Sequence, residues 1–257
     1  MRTEKLALLS TVLFLACALA GSFAQSESNG GSVTGWAVMK RVDEAQYAES
    51  SKTKMSMHIF DSIHSDDSRD YYIQSLSRKG DQETFMEFVA PRSIKGMKIL
   101  SLDEEVRVYF PSTGRVRRIT GSGKSGSVGG LGGDFSYEDM SGGDRVNDYK
   151  FTLLSETETE WKIEGVPKDE DISYSNVLFY IDKQKLLPVK IEYYTEEDGH
   201  TKTMTADRIE KVSGRYSPML ITMENHEDRK KTVIKLHETA FDVNPPERYF
   251  NPTRFYR

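Results

Sequence analysis

Two spacings of apolar residues divide the chain. Trp36, Met39, Val42 and Ala45 recur at helical intervals behind Thr34. That spacing predicts a short amphipathic helix capped by Thr34, with one face packed on a sheet. From Met55 the period becomes two. Met55, Met57 and Ile59 alternate with Lys54, Ser56 and His58, the pattern of a strand with one buried face. Further strands are expected near 69–78, 82–90, 97–101 and 105–110, where Val106, Val108 and Phe110 share a face opposite Arg107 and Tyr109. Later strands fit 148–155, 159–165, 175–181, 187–195, 201–212, 217–225 and 231–239. Turn residues separate them: Lys79-Gly80-Asp81, Asp182-Lys183, Glu197-Asp198-Gly199, Ser213-Gly214 and Glu227-Asp228. Many strands in series with short turns imply an antiparallel meander rather than βαβ units. Residues 120–133 form a glycine-rich loop. A short helical segment is expected near Phe135–Met140, and one helical turn after Pro246. That is little helix to cover so much sheet, which leaves room for an apolar hollow. Methionines at 55, 57, 86, 97, 204, 219 and 223 fall in strand segments. They suit either an ordinary core or an adaptable apolar binding surface.

The start of the chain reads as an export signal. Arg2 and Lys5 precede the apolar run from Leu6 to Ala20, and Ser22-Phe23-Ala24 places a cut after Ala24. Residues 25–33 then form a flexible tether, and 34–257 a single domain. Cys17, the only cysteine, gives a second reading of the same segment: Phe14-Leu15-Ala16-Cys17 resembles a loose lipobox, and a lipidated Cys17 would anchor the protein to a membrane. On either reading no disulfide remains to staple the fold.

Charge changes the picture little. The net charge is −5, and no concentrated basic face points to nucleic acid. Gly121-Ser122-Gly123-Lys124-Ser125 resembles a phosphate loop but has Arg118 where that loop needs its first glycine. The five histidines, at 58, 64, 200, 226 and 237, show no metal-ligand spacing, and no G-x-S-x-G or calcium-loop pattern occurs. No enzyme signature emerges, and no cofactor or metal is expected. One cluster stands apart, Gly114-Arg115-Val116-Arg117-Arg118-Ile119. In a strand Arg115 and Arg117 share a face and Arg118 points with Val116. These arginines suit a phosphate head group or an acidic partner, and equally a solvated edge that discourages sheet association.

The order of several segments resembles a known family. Phe88-x-x-Pro91, Lys95-Gly96 and Leu100 are followed by Val108-Tyr109-Phe110-Pro111 and the arginine strand. Gly133-Asp134-Phe135-Ser136-Tyr137-Glu138-Asp139-Met140 comes after the glycine loop. Together these resemble the outer-membrane lipoprotein-sorting family, the LolA-like proteins, in its longer branch. The resemblance is sharpest over 84–140. It continues through Tyr180-Ile181-Asp182, Leu187-Pro188-Val189-Lys190 and Tyr193-Tyr194, then fades toward the C-terminus. It implies a mainly β fold with few helices: a curved antiparallel sheet forming an incomplete β-barrel, or half-pipe, covered by helices. It also implies a periplasmic carrier that holds lipid or lipoprotein acyl chains and helps move them toward the outer membrane. An inner-membrane transporter and an outer-membrane acceptor would be its partners. On this reading the hollow is lined by Met55, Met57, Ile59, Phe85, Val106, Val108, Phe110, Phe179, Ile181, Ile191 and Tyr193. Arg115, Arg117 and Arg118 would meet head groups or a partner, and the glycine loop would act as a lid hinge or contact loop. The competing reading is an envelope module that senses lipid or binds protein without transfer.

Overall fold

The computed structural model describes residues 33–102, 105–140, 145–168 and 172–257. The signal segment, Cys17 and nearly all of the tether lie outside the described residues.

Helix α1 spans Gly35–Gln46. Thr34 caps it, its hydroxyl accepting from the Ala37 amide at 3.2 Å. Val38, Met39 and Val42 are buried. Trp36, expected on that face, is instead 48% exposed, with the Lys40 ammonium 5.3 Å from its ring centre. Gly35 lets the helix start against the sheet: a Cβ there would lie 2.8 Å from the Leu153 backbone nitrogen.

Thirteen strands follow. They are β1 (Ser50–Phe60), β2 (Arg69–Arg78), β3 (Glu83–Ala90), β4 (Lys98–Leu102), β5 (Glu105–Phe110), β6 (Arg115–Ile119), β7 (Tyr149–Glu156), β8 (Glu160–Pro167), β9 (Asn176–Asp182), β10 (Leu187–Thr195), β11 (Gly199–Val212), β12 (Arg215–Asn225) and β13 (Lys230–Phe241). Twelve of them fall where strands were expected, and β6 is the arginine segment, whose faces were considered as those of a strand. They form one sheet in the order β6-β5-β4-β3-β2-β1-β13-β12-β11-β10-β9-β8-β7. Each neighbouring pair is antiparallel. The sheet is thus two meanders joined along β1 and β13. It stays open between β6 and β7, as an incomplete barrel.

This topology has a direct result. Strands β6 and β7 follow one another in sequence but lie at opposite rims. The chain between them must therefore cross the mouth of the half-pipe. That connection holds the glycine-rich segment and two single-turn helices, α2 (Tyr137–Met140) and α3 (Arg145–Asp148). The part through residue 140 forms a roof over the sheet.

Directly opposed residues of an antiparallel pair project on the same face, so the register assigns the faces. One row of partners crosses eight strands: Leu153, Ile163, Phe179, Ile191, Met204, Met223, Thr232 and Ile59. Only Thr232 interrupts its apolar character. On the other meander Met86, Ile99 and Val108 line up and end at Arg117. These rows belong to the inner face.

The outer face of β2–β6 carries a separate apolar cluster. Phe85 and Leu100 pack there with Phe250 and Phe255 of the C-terminal tail. The expected turn after Pro246 is a 3-10 turn over Glu247–Phe250, and Tyr249 packs on Phe85 with ring centres 4.7 Å apart and planes tilted by 36°.

Candidate functional site

Two elements cover the inner face. Under the roof, Met57, Ile59, Phe88, Met97 and Val108 pack against Val128, Phe135 and Tyr137. Under α1, Val38, Met39 and Val42 pack on Trp161, Ile163, Phe179 and Ile181. Tyr193 and Met204 are half-buried and touch both clusters. Near them Ile221 and Leu236, on β12 and β13, are also half-buried. Together these four form an apolar strip between the covers.

The roof rests on the apolar face but is fastened by polar contacts. The Asp134 amide donates to the Thr232 hydroxyl at 2.9 Å, and that hydroxyl donates back to the Asp134 carboxylate at 2.7 Å. The one polar residue of the long inner row is thus the roof's anchor. The Ser136 and Asp139 side chains accept from each other's amides at 3.1 and 2.8 Å, which starts α2 as a capping box does. Asp139 also accepts from the Tyr174 hydroxyl at 2.8 Å and from the Lys202 ammonium at 3.3 Å. Glu138 accepts from the Ser173 amide and hydroxyl. The glycines here allow close approach. A Cβ on Gly133 would lie 2.9 Å from Ile59 Cδ1, and one on Gly129 would lie 2.6 Å from Met97 Cε. Gly129 also has φ +67°, which favours glycine.

These fastenings place carboxyls in dry surroundings. Burial raises the Asp134 pKa, only partly offset by the Thr232 hydrogen bond. Burial likewise raises that of Glu138 against its bonds to Ser173, and burial and Asp139 raise that of the Tyr174 phenol. A carboxyl whose folded pKa lies above its unfolded value favours the folded state most when protonated. Its contribution is full below the unfolded pKa and is lost as pH rises through the folded one. We therefore predict that mild acidification from neutral pH raises the amide protection factors in residues 126–140, with exchange taken relative to the intrinsic rate at each pH. Asp134→Asn should flatten that pH dependence. Protection that falls on acidification in the wild type would refute this assignment.

The register now places each residue expected at the site. Met55, Met57, Ile59, Val106, Val108, Phe110, Phe179, Ile181, Ile191 and Tyr193 all lie on the inner face. Phe85 does not; it points outward against the C-terminal tail. The arginines divide. Arg115 and Arg117 oppose Phe110 and Val108, and so share the inner face. Arg118 opposes Arg107 on the outer face and pairs with Glu105 at 3.0 Å. The partners that fasten the roof, Thr232, Tyr174, Lys202 and Ser173, had no sequence signal. They are distant in the chain, up to 98 residues away.

One outer-face chain has the connectivity of a nucleophile, base and orienting acid. Ser56 Oγ lies 2.8 Å from His58 Nε2, and His58 Nδ1 lies 2.7 Å from Asp70. Ser56 is only 1% exposed, however, and His237 Nε2 also holds its hydroxyl at 2.9 Å. The group ties β1, β2 and β13 together, with its hydroxyl shut away from solvent. Among the described residues no three His, Cys, Asp or Glu side chains gather to hold a metal, and no helix is long and apolar enough to cross a membrane.

An open antiparallel meander with a strap across its mouth is the LolA-like fold. The structure superposes on a chain from Vibrio parahaemolyticus described as an outer membrane lipoprotein-sorting protein domain, with TM-score 0.79 and 22% identity, covering 87% of this chain and 98% of that one. A DUF1329 family protein from Desulfovibrio piger gives 0.78 at 24% identity, with 85% and 96% covered. A LolA superfamily protein from Nitrosomonas europaea gives 0.70 at 22% identity, with 86% and 99% covered. No curated protein matches the sequence. A family model described only as "-like: Uncharacterized protein" matches residues 80–257, and the chain belongs to that family.

Proposed function

We propose that this protein is a carrier of the bacterial envelope that holds the acyl chains of a lipid or lipoprotein against its inner face and helps move them toward the outer membrane. The observation that carries this reading is the apolar row from Leu153 to Ile59, covered by one helix and a strap rather than by a second sheet. The strap's apolar side chains, Val128, Phe135 and Tyr137, sit where an acyl chain would lie. A chain can replace them with little loss of apolar contact, while a few polar fastenings decide whether the strap stays down. Each methylene buried is worth about 0.8 kcal/mol, so binding needs no catalytic group.

The fold shared with a chain described as a lipoprotein-sorting domain supports the same reading. Within it the protein works in the periplasm. It is exported by its N-terminal signal or anchored through Cys17, and meets an inner-membrane transporter and an outer-membrane acceptor. The test is native mass spectrometry of protein purified from its own envelope, followed by organic extraction and a transfer assay between donor and acceptor vesicles. Co-purified lipid or acylated peptide that moves between vesicles supports the carrier. Bound lipid that never moves would make the protein a lipid-sensing module, and a clean mass with no lipid uptake would overturn both readings.

A further inference from the structure

Charge on the inner face is arranged one-sidedly. On strands β3–β6 that face carries Thr84, Met86, Phe88, Ile99, Ser101, Val106, Val108, Phe110, Arg115, Arg117 and Ile119. It holds two positive charges and no carboxylate, in a protein whose net charge is −5. The acids of these strands face outward: Glu83 binds Arg78 and Lys79, Glu87 opposes Lys98, and Glu105 binds Arg107 and Arg118. The roof's Asp134, Glu138 and Asp139 are engaged on the far meander and the 173–174 segment. Arg115 and Arg117 are exposed, and among the described residues neither has an ion-pair partner. Arg117 is close enough to the roof for its charge to act on the Tyr137 hydroxyl.

The position of these arginines relative to the apolar row gives the pattern meaning. Arg117 is the next residue in the line Met86, Ile99, Val108. Neighbouring strands lie about 4.8 Å apart, so the guanidinium stands one strand beyond the apolar floor, at the open rim. A basic edge strand also discourages association between sheets. That role is served from either face, and does not account for an inner face cleared of acid.

We infer that the cargo is an amphiphile with an anionic head, a phosphate or a carboxylate, held at the β6 rim by Arg115 and Arg117 while its chain crosses Val108, Ile99 and Met86. This rests on the carrier reading above. Guanidinium groups bind both oxyanions through paired charge-assisted hydrogen bonds.

The test is displacement of a neutral fluorescent acylglycerol from the delipidated protein. Three competitors with oleoyl chains are used: dioleoyl phosphatidylglycerol, oleate and dioleoylglycerol. At least one anionic competitor should bind about tenfold or more tightly than dioleoylglycerol, and whichever does so identifies the head as phosphate or carboxylate. Arg115→Gln with Arg117→Gln should erase that preference and leave dioleoylglycerol unchanged, whereas Arg118→Gln should change neither. Equal affinity for all three competitors overturns the head-group inference and leaves the carrier reading standing. So does a double variant that weakens all three alike, because the arginines would then only support the fold. A preference that survives the double variant, or an acidic peptide that competes as well as the anionic lipids, also overturns it. Failure of the acylglycerol and every competitor to bind would overturn the carrier reading itself.

Discussion

Replacing Ile221 with glutamate is expected to weaken acyl-chain binding by about 100-fold or more while leaving the fold in place. Ile221 lies on the inner face, opposite Ala206 and Ile234, in the half-buried strip between roof and helix. In the free protein the carboxylate can keep much of its water. Once a chain covers the strip, that water must leave, and the register partners Ala206 and Ile234 offer no cation in exchange. An unpaired buried charge costs several kcal/mol, and each 1.4 kcal/mol is tenfold in affinity. Titration with an acyl probe, beside thermal unfolding of the same variant, separates the two effects. Undiminished affinity would remove the strip from the binding path. Val108 would be a poor choice for this test. It is 0% exposed beneath the roof, so a glutamate there would damage the fold before it could report on cargo.

The largest loss of stability is expected from Phe88→Ala. Phe88 is 0% exposed and meets Tyr71 edge to face, with ring centres 6.4 Å apart. It packs in the cluster that joins the roof to the sheet. Truncating a buried Phe costs about 3–5 kcal/mol. In a chain of this size each kcal/mol lowers Tm by roughly 2–4 °C, so a fall of about 6–20 °C should appear by calorimetry. A fall of only a degree or two would mean that the roofed cluster contributes little to the cooperative fold.

The fold was legible because most strands have one wet face, which keeps the period of two visible. Val106, Val108 and Phe110 alternate cleanly with Arg107 and Tyr109, as the register confirms; Arg115 and Arg117 were expected to share a face, and only the register shows that it is the face of Val108 and that Arg118 lies on the other. Strand β3 is the instructive failure. Its residues Glu83, Thr84, Phe85 and Met86 are all buried, because the roof covers one face and the C-terminal tail approaches the other. With both faces dry the alternation disappears, and nothing local separates Phe85 from Phe88. Trp36 failed for another reason: its helical spacing was right, but its ring lies along the helix surface beneath Lys40 rather than against the sheet. Of the seven methionines expected in strands, Met55, Met57, Met86 and Met223 lie in one apolar cluster with Met204 packed against it, Met97 joins that cluster from just before β4, and Met219 is half-buried on β12. The segment from Asp134 to Asp139 stood out as a motif, but its meaning depended on partners brought near only by the topology. Asp134 needs Thr232, and Asp139 needs Tyr174 and Lys202.

The connection between β6 and β7 has a consequence for how far the half-pipe can widen. It comprises 29 residues, 120–148, which fully extended would reach roughly 100 Å at about 3.3–3.6 Å per residue. Much of that length is taken up in turns: Gly121–Ser125, Val128–Gly130 and Tyr137–Met140 each wind the chain back on itself. The two rims are therefore joined by a tether with slack. Straightening one turn would let the rims part without breaking any strand pair, so on the proposed carrier reading bulky cargo need not strain the sheet.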